Sequence, residues 1–230
     1  MLVEMKQICK DFPVGNGVSR ILKNVDLSVE AGDYLAIMGP SGSGKTTLMN
    51  ILGFLDQQTS GEYLLDGSSY LAASDSRLAK VRNEEIGFVF QSFYLMPRLN
   101  ARENVALPLL YAGVPKKERL QRAEEALTYV GLDGKFLSKP TTLSGGQCQR
   151  IAIARAMVTK PKLLLADEPT GALDTATGKQ IMKIFEDLNS QGTTIIMITH
   201  DSDIAKHANR TMYIRDGILT SERWEASANE

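Results

Sequence analysis

Residues 39–46, GPSGSGKT, are the part of the sequence whose types and spacing most clearly indicate chemistry. They fit the pattern G-x-x-x-x-G-K-[ST], in which glycines let backbone N–H groups turn toward a phosphate and a helix dipole adds to the attraction. The apolar run YLAIM (34–38) precedes them and the apolar helical run TTLMNILGFL follows. A chance glycine-rich turn would lack this strand–loop–helix context, so we interpret the motif as a phosphate-binding loop, or P-loop.

The P-loop predicts a nucleoside triphosphate as ligand. Lys45 should reach its β- and γ-phosphates, and the Thr46 hydroxyl should ligate Mg²⁺. The residues that we expect around the nucleotide at this loop are Gly39, Pro40, Ser41, Gly42, Ser43, Gly44, Lys45, Thr46 and Thr47.

Two adjacent acids, Asp167 and Glu168, follow the apolar run KLLLA. A carboxylate at such a strand end can hold Mg²⁺ through water beside a P-loop. Because adjacent residues at a strand end splay apart, Glu168 can face the γ-phosphate and polarise a water. Adjacent acids are more commonly a solvated strand end, but the preceding apolar run and the P-loop favour a metal ligand and a general base.

A second glycine-rich turn, LSGGQ (143–147), begins the apolar helix QRIAIARAM. Ser144 suits an N-cap, and a helix that starts at glycines can bind an anion. Taken alone, the stretch is equally a helix start that tolerates glycine. The P-loop already accounts for one nucleotide, so these residues alone leave open what the second cradle binds.

The composition is that of a globular protein without an electrostatic attraction to nucleic acid. The 230 residues are 43% hydrophobic, and 26 basic residues stand against 27 acidic ones for a net charge of −1. This balance provides no long-range field for nucleic acid or an anionic membrane. The two cysteines form no disulfide framework, and the apolar runs fall short of the roughly 20 residues of a membrane span. We expect the chain alone to be soluble and cytoplasmic.

Hydrophobic patterning predicts an α/β fold. Compact apolar runs at 34–38, 162–166 and 193–198, each near a helical stretch, are typical of buried parallel strands. The pattern is helical between about 92 and 160. We expect one domain over residues 1–230, with an α/β core and β subdomain at about 1–91 and 161–220 and an inserted α-helical subdomain at about 92–160.

Four further runs, at 2–8, 21–29, 62–65 and 86–90, predict strands. No helix is apparent between the first two or between the last two. We therefore expect antiparallel pairing within each of these pairs.

GPSGSGKT, LSGGQ and LLLADEP, in this combination, resemble the motifs of the ATP-binding cassette (ABC) ATPases, whose signature motif is LSGGQ. The resemblance covers about residues 2–220. It implies ATP and Mg²⁺ as cofactors, ATP hydrolysis coupled to transport, and a P-loop NTPase core with an antiparallel β subdomain and an inserted α-helical subdomain.

The resemblance also implies roles for residues outside the P-loop. Gln91 matches the Q-loop glutamine that contacts Mg²⁺ and the attacking water, and His200 matches the switch histidine at the γ-phosphate, although a strand-end histidine is commonly structural. Phe12 lies where the family places an aromatic side chain on adenine, and a phenylalanine can equally belong to a core. Cys148, directly after LSGGQ, departs from the usual glutamine or arginine; it is either a small tolerated side chain or a reactive thiol.

The expected site residues fall into three groups. The catalytic residues are Glu168, His200, Gln91 and Lys45. The magnesium ligands are Thr46, Gln91 and Asp167. GALD (171–174) matches the family's D-loop. The residues expected at the nucleotide from the signature motif and the D-loop are Ser144, Gly145, Gly146, Gln147 and Asp174.

In this family, two cassettes form a homodimer around two ATP molecules, and each nucleotide lies between the P-loop of one chain and the LSGGQ of the other. The stretches 91–114 and 166–174 most resemble the macrolide-export and lipoprotein-release branch. That branch implies a separate transmembrane permease with a large extracytoplasmic domain, an adaptor protein of the membrane-fusion type, and a place at the cytoplasmic face of the membrane. It also implies export or extraction of a peptide, lipoprotein or antibiotic-like substrate.

Other functions compete with this interpretation. A P-loop kinase would have no use for LSGGQ, and a soluble ABC ATPase of DNA repair or translation would carry a coiled coil or a second cassette. A cell-division cassette, which activates cell-wall hydrolases through a membrane partner without transport, shares the same motifs, and the neighbouring genes would distinguish it.

Five apolar residues after Gln91 could contact a partner: Phe93, Tyr94, Leu95, Met96 and Leu99. They are too apolar for a free loop, and the family uses this region as a groove for the permease's coupling helix. The alternative is burial within the helical subdomain.

Overall fold

The computed structural model describes residues 1–15 and 17–222, which divide into two compact units. The first comprises Met1–Ala72 and the chain from Met197 onward, and the second Ala73–Ile196. The elements in chain order are β1 (Val3–Val14), β2 (Gly17–Val29), β3 (Tyr34–Met38), α1 (Lys45–Leu52), β4 (Ser60–Leu65), β5 (Ser68–Ser69), α2 (Asp75–Glu85), β6 (Ile86–Phe90), α3 (Ala101–Tyr111), α4 (Lys116–Tyr129), a 3₁₀ turn (Pro140–Thr142), α5 (Gly145–Met157), β7 (Leu163–Asp167), α6 (Thr175–Ser190), β8 (Thr194–Thr199), α7 (Ser202–Ala205), β9 (Arg210–Arg215) and β10 (Ile218–Thr220).

The first unit contains an antiparallel sheet in the order β2-β1-β4-β5. Val3, Met5 and Ile8 of β1 are buried, and the strand pairs with β2 on one side and β4 on the other. The register shifts between Met5 and Ile8, where Gln7 has a φ of 52° and its backbone N–H donates to Asp26. This β-bulge brings two consecutive side chains, Ile8 and Cys9, to buried positions.

The P-loop of the first unit is supported by β3, which pairs in parallel with β9. Tyr34–Ile37 are buried, as expected of a parallel strand covered on both faces. β10 pairs antiparallel with β9. The Gly217 N–H of the β9–β10 turn donates to the Ser43 carbonyl, which fastens the P-loop to its own sheet.

The second unit contains β6 and β7, which pair in parallel from Ile86–Leu163 to Phe90–Asp167. α5 lies close against β6, since a Cβ on Gly87 would stand 2.5 Å from the Ala156 carbonyl oxygen. β8 begins in this unit, and its residues from Met197 belong to the first. Because Phe90 of β6 pairs with Asp167 of β7, Gln91 and Asp167 lie at neighbouring positions.

The predicted antiparallel pair 62–65 and 86–90 is wrong. β4 pairs with β1 and β5, whereas β6 pairs in parallel with β7. α2, which starts at the Ser74 N-cap, lies between the two strands in the sequence. The hydrophobic pattern did not indicate this helix, because Leu78 and Val81 are its only buried residues and most of the others are polar. The predicted antiparallel pairing of 2–8 with 21–29 is confirmed and extends to the Val14–Gly17 turn.

Candidate nucleotide-binding site

The P-loop has the backbone geometry of a phosphate cradle. Gly42 and Gly44 have φ values of 77° and 105°, which favour glycine, and α1 begins directly after Gly44. A Cβ on Gly39 would overlap the Ile214 carbonyl oxygen, so only glycine fits there. A helix N-terminus preceded by such turns presents backbone N–H groups to an anion, so the cradle fits a nucleotide phosphate.

Lys45 and Ser43 are held within the loop itself. Lys45 Nζ donates to the carbonyl oxygens of Gly39 and Pro40 at 2.7 and 2.8 Å, which keeps the ammonium at the rim of the cradle. The Ser43 hydroxyl is buried without a hydrogen-bond partner among the described residues. Thr46 is exposed and Thr47 half-buried, while Ser41 is exposed at the tip of the loop. The loop therefore combines a cation with accessible hydroxyls.

His200 lies beside the P-loop, in the same unit. A cavity of about 470 Å³ is lined by Gly39, Pro40, His200 and residues of β9. His200 follows the buried Thr199, whose hydroxyl accepts from the Asp201 N–H at 3.1 Å and so fixes the turn after β8. The predicted γ-phosphate contact of His200 is compatible with this position.

Phe12 lies on β1 and is 38% exposed, so the core alternative does not hold for this residue. Lys10 Nζ lies 4.8 Å from the centre of its ring, a cation–π geometry. Lys10 is in turn held by Asp56 at 2.6 Å. An ammonium on one face of the ring leaves the other available for an adenine.

In the second unit, Gln91 follows the end of β6, Asp167 is the last residue of the neighbouring strand β7, and Glu168 comes directly after it. A Cβ on Gly171 would stand 2.8 Å from Gln91 Nε2, so the Gln91 side chain lies over this glycine. Asp167 and Glu168 are half-buried, and Glu168 has a φ of 46°. Thr46, Gln91 and Asp167 all offer the hard oxygen ligands that Mg²⁺ prefers. The described residues contain no group of three or more His, Cys, Asp or Glu suited to a metal.

The LSGGQ stretch forms the capped start of α5. Ser144 accepts from the Gln147 N–H at 3.3 Å and the Gln147 side chain accepts from the Ser144 N–H at 3.0 Å, a capping box. Ser144 and Gly145 are exposed, whereas Gly146 is buried. The exposed end of this 13-residue helix can therefore receive an anion from outside the chain.

The D-loop packs against this helix start. A Cβ on Gly146 would overlap Thr177 Cγ2, and one on Gly145 would stand 3.3 Å from Leu173 Cδ2. Asp174 caps α6 and accepts from the Thr177 N–H and hydroxyl at 2.9 and 2.6 Å. These hydrogen bonds lower the pKa of Asp174 and keep it ionised.

Cys148 is buried and its Sγ lies 3.5 Å from the Pro140 carbonyl oxygen. Burial raises the pKa of its thiol. A protonated, buried thiol is unreactive, so the structure favours the small tolerated side chain over the reactive one.

The apolar residues after Gln91 form an exposed patch. Tyr94 and Met96 are 64% and 52% exposed, and Phe93, Leu95 and Leu99 are half-buried. We call these five residues the docking patch. Arg155 donates to the Phe93 and Tyr94 carbonyl oxygens, and the buried Asn104 side chain bonds both the N–H and the carbonyl of Met96. Arg155 and Asn104 thus hold the backbone of the docking patch by hydrogen bonds.

Sequence reasoning missed the residues that hold these loops. Arg155 and Asn104 are polar residues within apolar helical runs, and Lys10 precedes Phe12 by one strand period. A polar side chain on a buried helix face is the signal that could have identified the first two. No described helix is long and apolar enough to cross a membrane.

Comparisons with known proteins bear on the whole chain. A family model described as ABC transporter matches residues 22–171. YvrO of Bacillus subtilis, an uncharacterized ABC transporter ATP-binding protein, is 56% identical over 98% of this chain and 99% of its own length. The macrolide export ATP-binding/permease protein MacB of Mannheimia succiniciproducens is 49% identical over 96% of this chain, which spans only 34% of that protein.

A solved structure gives the corresponding likeness in three dimensions. The dimeric post-hydrolysis state of the ATP-binding cassette MJ0796, bound to ADP and Pi, has a TM-score of 0.87 and 42% identity, and the match covers 96% of this chain and 100% of that one. This likeness confirms the predicted α/β fold class with its P-loop NTPase core.

Proposed function

The chain belongs to the ABC transporter family, as an ATP-binding subunit that hydrolyses ATP, and from this premise we propose that two copies enclose two ATP molecules and drive a transmembrane permease in export. The observation that carries the proposal is the exposed, capped helix start at Ser144 and Gly145. It is an anion-binding end that faces out of its own chain, in addition to a complete P-loop. The dimeric state of MJ0796 supports the same arrangement.

In the proposed dimer, each ATP is held by the P-loop of one chain and by Ser144–Gln147 of the other. Such an interface is isologous. ATP stabilises it because only the associated chains offer both halves of the nucleotide site. Phe12 stacks on the adenine with the ring face that Lys10 leaves open.

The proposed hydrolysis uses residues of the P-loop and residues that follow β6, β7 and β8. Lys45 and His200 stabilise charge on the γ-phosphate. Thr46, Asp167 and Gln91 would hold Mg²⁺, which would supply positive charge against the developing phosphate charge. Glu168 accepts a proton from the attacking water, and Gln91 orients that water.

The proposed partner is a permease of the macrolide-export type, with a large extracytoplasmic domain and an adaptor protein, and the cassette works at the cytoplasmic face of the membrane. The 49% identity to MacB supports this branch, and the near-complete coverage of YvrO supports a permease on a separate polypeptide. The docking patch supplies the contact with a cytoplasmic helix of the permease, because Tyr94 and Met96 present apolar surface on a rigid support. The substrate class is a peptide, lipoprotein or antibiotic-like compound.

A mixed-dimer experiment tests the shared site. Lys45→Ala damages the P-loop and Ser144→Arg damages the helix start, so each homodimer should be inactive. In the mixed dimer, the intact P-loop of the Ser144→Arg chain meets the intact helix start of the Lys45→Ala chain, and one complete site returns. We expect ATP-stabilised dimers and partial ATPase activity from the mixture of differently tagged chains. If each helix start serves the nucleotide of its own chain, every site carries a lesion and mixing restores neither.

A further inference from the structure

Gln149 is a polar side chain in the protein interior that the proposed chemistry does not use. It lies on α5, is fully buried, and its Nε2 donates a 2.6 Å hydrogen bond to the Pro169 carbonyl oxygen. Its Oε1 has no hydrogen-bond partner among the described residues. Buried polar groups are normally paired. Packing alone therefore does not account for a buried glutamine with one unpaired polar atom. The hydrogen bond to Pro169 is the interaction that can give this residue a role.

That bond lies next to a strained residue. Glu168 has a φ of 46°, in the left-handed region that non-glycine residues rarely adopt. It also precedes a proline, which pushes the preceding residue toward extended backbone. A doubly disfavoured conformation persists only where the surroundings hold it. Since Glu168 is the proposed base, whatever holds this turn sets the position of the base.

Hydrogen bonds from within the turn and from another element hold it. The Gly171 N–H donates to the Glu168 carbonyl oxygen at 3.0 Å, within the turn itself. The second bond, from Gln149, comes from another element. Pro169 is buried and has no N–H, so its carbonyl is the one backbone polar group through which it can be held.

The donor lies on a fixed support. Gly145 and Gly146 bring the first turn of α5 against Leu173 and Thr177, in the segment that follows Glu168. Gln149 is one turn further along the same helix. The Gln149 amide is therefore carried by a helix whose first turn packs against the segment that follows Glu168.

We propose that Gln149 is a positioning residue, whose amide holds the Pro169 carbonyl and so fixes the strained turn from which Glu168 acts as base. This inference rests on the proposed role of Glu168. It also links two tasks of one chain, because the helix that presents Ser144 to a neighbouring nucleotide is the helix that positions the base.

Gln149→Met tests the proposal, because methionine keeps the length of the side chain and removes the donor. We expect kcat for ATP hydrolysis to fall roughly ten- to a hundredfold, as for a misplaced catalytic group, with KM for ATP little changed. In a Glu168→Gln background, Gln149→Met should still form the ATP-stabilised dimer, since binding does not use the base. The matched control is Gln180→Met on α6, where the exposed Gln180 accepts from Arg150 at 2.6 Å, and it should keep wild-type kcat.

Gln149→Glu provides a second variant, since it keeps the shape and places an oxygen where the donor stood. A wild-type kcat in Gln149→Met, or in Gln149→Glu at a pH where its carboxyl is ionised, overturns the proposal. Loss of the ATP-stabilised dimer together with a lower melting temperature also overturns it, because the residue would then act on the fold. If Glu168→Gln turns over ATP like the wild type, the proposed role of Glu168 as base is wrong. If Glu168→Gln is inactive and Gln149→Met is fully active, only the positioning role of Gln149 is wrong.

Discussion

At the residue scale, local hydrogen bonds hold the charged groups of the candidate site. Lys45 Nζ is bonded to the carbonyl oxygens of Gly39 and Pro40 in its own loop. Asp174 is bonded to Thr177, three residues away. Because these bonds are local, replacing a catalytic side chain should change nucleotide binding or turnover more than it changes the fold.

Glu168→Gln should separate binding from turnover. An amide cannot accept the proton of the attacking water, so we expect kcat to fall by about 10²–10⁴-fold while ATP still binds. The trapped ATP should stabilise a dimer that is visible by gel filtration. Lys45→Ala is the contrasting variant: it removes the cation from the P-loop, so ATP binding should weaken and no ATP-dependent dimer should form. Turnover by Glu168→Gln near the wild-type rate would assign the base elsewhere.

At the element scale, the start of α5 and the start of α6 are fitted to each other. Gly146 faces Thr177, and Thr177 is fixed by Asp174 at the N-cap of α6. The fit requires glycine at position 146. A rotamer change that moved the Thr177 methyl group out of the way would break the bond from its hydroxyl to Asp174.

Gly146→Ala should destabilise the protein, because its Cβ would overlap Thr177 Cγ2. We expect a loss of about 1–3 kcal/mol in the free energy of unfolding, measured by thermal or urea denaturation. Gly178→Ala is the matched control on α6, since its Cβ would meet Thr170 at an ordinary 3.6 Å. Adding Thr177→Ser to Gly146→Ala removes the overlapping methyl group, keeps the hydroxyl and should restore stability. Wild-type stability in Gly146→Ala alone would contradict the close fit.

The sequence allowed some of these elements to be predicted and concealed others. The P-loop strand YLAIM and the KLLLA strand were predictable because buried parallel strands are continuous apolar runs. The polar helix α2 was missed, and with it the parallel pairing of β6 with β7. The motif residues of the site were predictable because they occur at a fixed spacing in the sequence. Gln149, Asn104 and Arg155 instead hold loops by bonding to backbone carbonyl oxygens. A sequence does not show which carbonyl oxygen a side chain will reach.

At the scale of the whole molecule, the docking patch is the proposed contact between the cassette and a partner. Its two exposed members, Tyr94 and Met96, lie on a segment that Arg155 and Asn104 hold through the backbone. Side chains at this position can therefore be exchanged without loss of the supporting bonds.

Tyr94→Ser and Met96→Ser should leave the ATPase activity of the isolated chain unchanged and impair assembly with the permease. The substitutions remove apolar contact area and leave the nucleotide residues intact. Co-expression with a candidate permease, followed by affinity purification, measures assembly. Tyr111→Ser is the control, because Tyr111 on α3 is 78% exposed and lies outside the patch. Full assembly and transport by both patch variants would rule out this surface as the permease contact.

Burial of both cysteines makes the wild-type chain a ready background for site-directed labelling. Cys9 and Cys148 are the only thiols of the sequence, and both are buried. A maleimide probe will therefore react selectively with a cysteine introduced at an exposed position away from the nucleotide site, such as Tyr111. Fluorescent or spin labels can in this way report the approach of two chains on ATP addition without removal of the native thiols.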